Sequence, residues 1–80
     1  MTALQKGMKN IVAIGMKIRF LRKKNNITQR DLAKSLCVTS QAISKWENGK
    51  NMPDISILPA VARIFGVSMD ELFDFDVSAS

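Results

Sequence analysis

Three short stretches of this chain carry one local signature: Ile27-Thr28-Gln29-Arg30-Asp31-Leu32, Val38-Thr39-Ser40-Gln41-Ala42-Ile43 and Val67-Ser68-Met69-Asp70-Glu71-Leu72. Each places an apolar residue before a hydroxyl residue and a second apolar residue four positions after the hydroxyl. The hydroxyl can accept a bond from a first-turn amide, and the two apolar side chains can staple across the turn. Ser68 and Glu71 also have the spacing of a full capping box, and Asp31 is a weaker counterpart to Thr28. Three helix starts in 80 residues leave little chain for anything but helices and turns. An all-α fold is therefore expected, a compact five-helix bundle in one domain.

The remaining helices follow from periodicity. Ile14, Ile18 and Leu21 fall at i, i+4 and i+7, with Asn10 as a candidate cap. Asn25-Asn26 suits an exit through the left-handed region, which asparagine tolerates. Leu58, Val61, Ala62 and Phe65 form a second stripe ending at Gly66. Pro59 belongs in a first turn, where its missing N–H has no partner to lose, so a start near Ile55 or Ser56 is expected. Asn48–Asp54, with Gly49 and Pro53, reads as a loop. The organisation expected is an N-terminal extension at residues 1–10, a helical domain at 11–73, and a short acidic and apolar tail at 74–80. In that tail Phe73, Phe75 and Val77 alternate with Asp74, Asp76 and Ser78, which reads as an extended segment.

Composition narrows the function. The chain holds no histidine and one cysteine, Cys37. No nucleophile setting, metal-ligand cluster or glycine-rich phosphate loop is present in the sequence, so no enzyme, cofactor or metal is expected. Cys37 is expected to be buried as a small hydrophobe. No apolar run is long enough to span a bilayer and no secretory pattern is read in Met1–Asn10, which makes a reducing, cytoplasmic setting the expectation. No small-molecule ligand is implied. Charge is segregated: residues 1–69 carry all twelve Lys and Arg against three acids, a net +9, while residues 70–80 carry four acids and no cation. A body of that charge attracts polyanions.

Only Cys37, Val38 and Thr39 separate the second helix from the third, a link that forces an angled pair with helix-turn-helix spacing. At about 100° per residue, Ala42, Ile43 and Trp46 gather on one side of the third helix. Ser40, Gln41, Ser44, Lys45 and Asn48 gather on the other. A helix of this width fits the DNA major groove. There Gln41 can pair with adenine N6 and N7, and Lys45 can donate to guanine O6 and N7. Ser40 and Ser44 are short enough to permit close approach. Gln29, in the first turn of the second helix, lies where free amides favour an anion, and its own amide can bond to a phosphate or brace a neighbouring recognition side chain.

These residues resemble the phage-repressor and Cro-like (Xre) helix-turn-helix family. The resemblance is carried by IGMKIRFLRKKNNITQRDLAKSL, VTSQAISKWENGK and PDISILPAVARIFGVSMDELF, about sixty of the 80 residues. It implies a lambda-repressor-like domain that binds operator DNA, usually as a dimer. It implies base contacts from Ser40, Gln41 and Lys45, backbone contacts from Gln29, Thr39, Asn48 and Lys50, and a partly buried ion pair between Arg22 and Glu47. Cys37 stands where the family often has glycine; a positive φ there would carry a strain of about 1–2 kcal/mol. The expected function is a sequence-specific regulator of transcription, a repressor acting on double-stranded DNA with a palindromic operator. The competing expectation is an antitoxin or anti-activator whose main partner is a protein. A single domain of this size contacts few base pairs, so a homodimer is expected. Leu72, Phe73, Phe75 and Val77 are its candidate interface, the alternative being a tail folded back on its own domain.

Overall fold

The computed structural model describes the backbone of residues 3–73 and the side chains of residues 13–73. Its helices are α1 (Ala3–Lys24), α2 (Gln29–Leu36), α3 (Ser40–Glu47), α4 (Leu58–Phe65) and α5 (Met69–Leu72), with no strand among the described residues. The expected extended segment of the tail lies outside them.

Among the described residues four have positive φ: Asn26 at 57°, Cys37 at 59°, Gly49 at 73° and Gly66 at 68°. Each ends a helix with the same pair of bonds. The N–H of Asn26 donates to Lys23 O (3.1 Å) and that of Ile27 to Arg22 O (2.9 Å). The corresponding pairs are Cys37 to Lys34 (3.3 Å) with Val38 to Ala33 (2.9 Å), Gly49 to Trp46 (3.1 Å) with Lys50 to Lys45 (2.9 Å), and Gly66 to Arg63 (3.2 Å) with Val67 to Ala62 (3.0 Å). These are Schellman closures, which satisfy carbonyls that the helix itself leaves unpaired.

At three of the four, the next two residues start another helix. Ile27, Val38 and Val67 pack against the core. Thr28, Thr39 and Ser68 then cap the following helix, accepting the N–H of Asp31, Ala42 and Glu71. One connector is thus used three times: a left-handed residue, an apolar residue, a hydroxyl. The apolar side chain seals the helix behind it and staples the helix ahead. Ser68 and Glu71 complete their capping box.

The core joins Ile14, Ile18 and Leu21 of α1 to Leu32, Ala33 and Leu36 of α2, Ile43 and Trp46 of α3, Leu58, Val61, Ala62 and Phe65 of α4, and Leu72 of α5. α1 lies across α3, α2 packs on α3, and α5 rests on α1 and α4. Where α1 meets the end of α3 the backbones nearly touch. A Cβ built on Gly15 would stand 1.8 Å from the carbonyl oxygen of Trp46. That oxygen is also the acceptor of the Gly49 N–H, so it has no room to retreat. Glycine in a helix interior costs roughly 0.5–1 kcal/mol relative to alanine; here the close crossing requires it.

Beside that crossing lies a buried ion pair. Arg22 Nε donates to Glu47 Oε2 at 2.7 Å and Arg22 Nη2 to Glu47 Oε1 at 3.1 Å. Arg22 Nη1 donates to the carbonyl of Ile27 at 2.9 Å, and Gln29 Nε2 to Glu47 Oε1 at 3.0 Å. The two charged residues are 8% and 7% exposed. No buried side-chain nitrogen or oxygen among the described residues lacks a partner, which is the condition under which a buried pair can be sustained. The network ties the last turn of α1, the first turn of α2 and the last residue of α3 together.

Four expectations change. α1 begins at Ala3, so Asn10 lies inside it and not at its start; the preceding Ala3–Lys9 stretch is mostly strong helix formers. α4 begins at Leu58, after a turn at residues 55–57. Ser56, the candidate start, spends its hydroxyl on Asp54 Oδ2 (3.1 Å), and Ile57 at the cap position makes no side-chain bond. Cys37 is exposed, not buried, because its left-handed backbone turns the side chain outward at the tip of the link. Leu72 is 0% exposed; it belongs to the core of its own domain and is withdrawn from the candidate interface.

Three stability changes follow, each read from urea denaturation midpoints at constant m-value. Gly15→Ala should cost about 3 kcal/mol, the upper part of the overpacking range, because the obstacle is backbone. Glu47→Ala should cost roughly 3–5 kcal/mol by leaving Arg22 charged, buried and without its carboxylate partner. Cys37→Gly should gain about 0.5–1 kcal/mol, since relief of left-handed strain exceeds the added freedom of the unfolded chain.

Candidate nucleic-acid interface

α3 begins where Thr39 closes its first turn, Oγ1 accepting the Ala42 N–H at 3.1 Å. The hydroxyl hydrogen of Thr39 is not consumed by that bond and the residue is exposed, so it can still donate outward. Beyond the cap, Ile43 and Trp46 turn into the core. Ser40, Gln41 and Lys45 are exposed on the opposite side, with Ser44 and Ala42 half-buried at the margins. Burial of one side orients the other, so the polar face points to solvent as a fixed surface.

The far end of the helix is equally ordered. Asn48 Nδ2 donates to Ser44 Oγ at 3.3 Å. This leaves the Ser44 hydroxyl its own hydrogen to give and Asn48 its carbonyl and second amide hydrogen. Lys50 is exposed on the Schellman turn, its N–H held by Lys45 O at 2.9 Å. Gln29 is half-buried at the start of α2. It braces Glu47 and not a side chain of the polar face, and that bond fixes its carboxamide while leaving the oxygen and one N–H uncommitted.

The structure thus gathers Thr39, Ser40, Gln41, Ser44, Lys45, Asn48 and Lys50 along α3, and ties Gln29 to its last residue through Glu47. Phe73 is 38% exposed at the end of α5; Phe75 and Val77 lie outside the described residues. Arg30 and Lys34, which motif reasoning does not single out, are exposed on α2. The exposed charges over residues 28–50 are Arg30, Lys34, Lys45 and Lys50 against Asp31, because Glu47 is buried and paired. A surface of that sign, carrying amide and hydroxyl groups and the positive end of a helix, suits a polyanion with hydrogen-bonding edges. Gly15 is the position that motif reasoning missed. Its one sequence signal is a glycine inside a helical pattern.

Among the described residues no group of His, Cys, Asp and Glu could hold a metal, and no helix is long and apolar enough to cross a membrane. A family model described as helix-turn-helix matches residues 18–72. The chain is 45% identical over 56 residues to the HTH-type transcriptional activator BcrR of Enterococcus faecalis, a match covering 70% of this chain but 28% of that protein. It is 37% identical over 60 residues to an uncharacterised HTH-type transcriptional regulator of Methanocaldococcus jannaschii, covering 75% of this chain and 91% of the regulator. The solution structure of the DNA-binding domain of the phage P22 C2 repressor superposes with a TM-score of 0.74 at 35% identity, covering 89% of this chain and 93% of that domain. With its helices, its connectors and its exposed α3 face in that arrangement, the chain belongs to the helix-turn-helix family, in the Xre-like group to which phage repressors belong.

Proposed function

We propose that the chain is a sequence-specific, double-stranded-DNA-binding regulator of transcription that acts as a repressor and reads the major groove with α3. The observation that carries this reading is the exposed Ser40–Gln41–Lys45 face on a helix whose other side is locked into the core. The P22 repressor domain, at 35% identity over nearly its whole length, supports it. Gln41 takes adenine through its carboxamide, and Lys45 takes guanine O6 and N7. Ser40 and Ser44 supply short donors. Gln29, Thr39, Asn48 and Lys50 hold phosphates; such contacts set register and carry no sequence information. The protein works in the cytoplasm as a homodimer on a palindromic operator, its half-sites about one helical turn, roughly 34 Å, apart. Phe73, Phe75 and Val77 remain the candidate dimer residues.

Selection of bound DNA from a random pool tests the whole reading. A palindromic consensus is expected, and no enrichment over input would refute it. Within that consensus, Gln41→Ala and Lys45→Ala should each cost about 1–3 kcal/mol at particular base pairs and relax preference there. Lys50→Ala should weaken binding to every sequence alike and reduce the slope of log K against log salt by about 1. Identical profiles for the two classes across a panel of sites would contradict this division of roles.

A further inference from the structure

Over residues 13–24 the face of α1 directed away from the core is not wholly polar. Met16 is 61% exposed and Phe20 59%, one helical turn apart and opposite the Ile14–Ile18–Leu21 stripe. Together they form a ridge with a groove on either side. One groove, about 590 Å³, is lined by Met16, Arg19, Phe20, Lys23 and Lys24. The other, about 350 Å³, is lined by Ala13, Met16, Lys17 and Phe20. Lys24 Nζ stands 5.9 Å from the centroid of the Phe20 ring. Each groove therefore has an apolar floor and a cationic rim, a combination that marks an interaction surface.

The rim decides what the surface can accept. Two copies of this face would bring Lys17, Arg19, Lys23 and Lys24 against their own kind, so the ridge does not pair with itself. It needs an apolar occupant that brings negative charge. The chain supplies one in Asp74-Phe75-Asp76-Val77, where apolar and acidic residues alternate. In an extended segment Phe75 and Val77 share a side and can lie on the ridge. The long Lys and Arg side chains of the rim can reach up to Asp74 and Asp76.

We propose that the α1 outer face receives segment 74–80 of a second copy of this chain. The inference rests on the homodimer reading above and adds where the two copies meet. Reach favours the second copy, because the tail of the same copy would first have to pass around α1. Leu72 is buried in the cluster that contains Ile14 and Ile18, on the inner side of α1. Phe75 stands three residues further on, a span of at most about 11 Å. Half the circumference of a helix with its side chains is roughly 16 Å or more, so Phe75 of the same copy could arrive there only with its backbone drawn straight and its ring fully extended. Exchange between two copies gives two identical contacts related by a two-fold axis, and so a closed dimer.

Charge-swap complementation on the full chain tests this by sedimentation. Arg19→Glu/Lys23→Glu and Asp74→Lys/Asp76→Lys should each weaken self-association at least tenfold. All four substitutions avoid the core and the α3 face, and an unchanged helical circular dichroism spectrum checks folding. An equimolar mixture should form a heterodimer, since one contact is then unaltered and the other is reversed on both sides. Raising the salt should weaken the unaltered dimer. If the unaltered chain dimerises and the α1 variant does so equally well, the homodimer reading stands and this interface falls. If both variants are weakened and mixing restores nothing, the two surfaces do not meet and the interface falls. If the unaltered chain is monomeric both free and on operator DNA, both readings fall together.

Discussion

Glu47 is where three helices are made to agree. Its carboxylate takes two bonds from Arg22 at the end of α1 and one from Gln29 at the start of α2, while its own backbone ends α3. A carboxylate at a helix C-terminus meets the negative end of the macrodipole, so it would be poorly placed without the guanidinium. An eight-residue helix has little stability alone in water. α3 exists because the domain holds it, by Ile43 and Trp46 from beneath and by this network at its end. A buried pair adds little net stability over an apolar replacement, but it is directional. Burying apolar area fixes which side of α3 faces inward; the paired charges also fix its rotation and axial position. A helix that is to meet base edges needs that second constraint.

Gly15 serves the same purpose by omission. The absence of a side chain lets α1 reach the Trp46 carbonyl, and that approach brings Arg22, two turns further along, level with Glu47. Close backbone contact and ion pair are thus parts of one arrangement. Changing the spacing at Gly15 would lengthen bonds that tolerate only a few tenths of an ångström.

The connectors explain how so short a chain builds so many angles. In each of the three links, the left-handed residue reverses the chain, the apolar residue is anchored in the core, and the hydroxyl starts the next helix. No link spends residues on a free loop. At the link between α2 and α3 the hydroxyl belongs to Thr39, so the atom that orders the first turn of α3 also stands at the proposed DNA surface. Cys37 pays strain at that link where a glycine would not, and the turn keeps its shape regardless.

Helix starts at Thr28, Thr39 and Ser68 were legible in the amino-acid order because a cap bond spans three residues and involves no distant part of the chain. The inward stripes of α1 and α4 and the two faces of α3 were legible because period 3.6 is itself local. Other features were hidden where a local signal has competitors. Ser56 resembles a cap but bonds Asp54, and Asn10 resembles one but is overrun by a longer helix. Leu72 and Cys37 exchanged their expected places, one going inside and the other out, because burial depends on what other segments do. The Arg22–Glu47 pair, 25 residues apart in sequence, came from family resemblance and not from any pattern in the chain. The bond from Gln29 and the need for glycine at Gly15 came from neither. The amino-acid order by itself determined which residues begin, end and line each helix, since those choices are made by neighbours a turn away. Only the tertiary structure decided how the helices cross and which charges are buried together, since those choices belong to atoms that the folded chain alone brings within bonding distance.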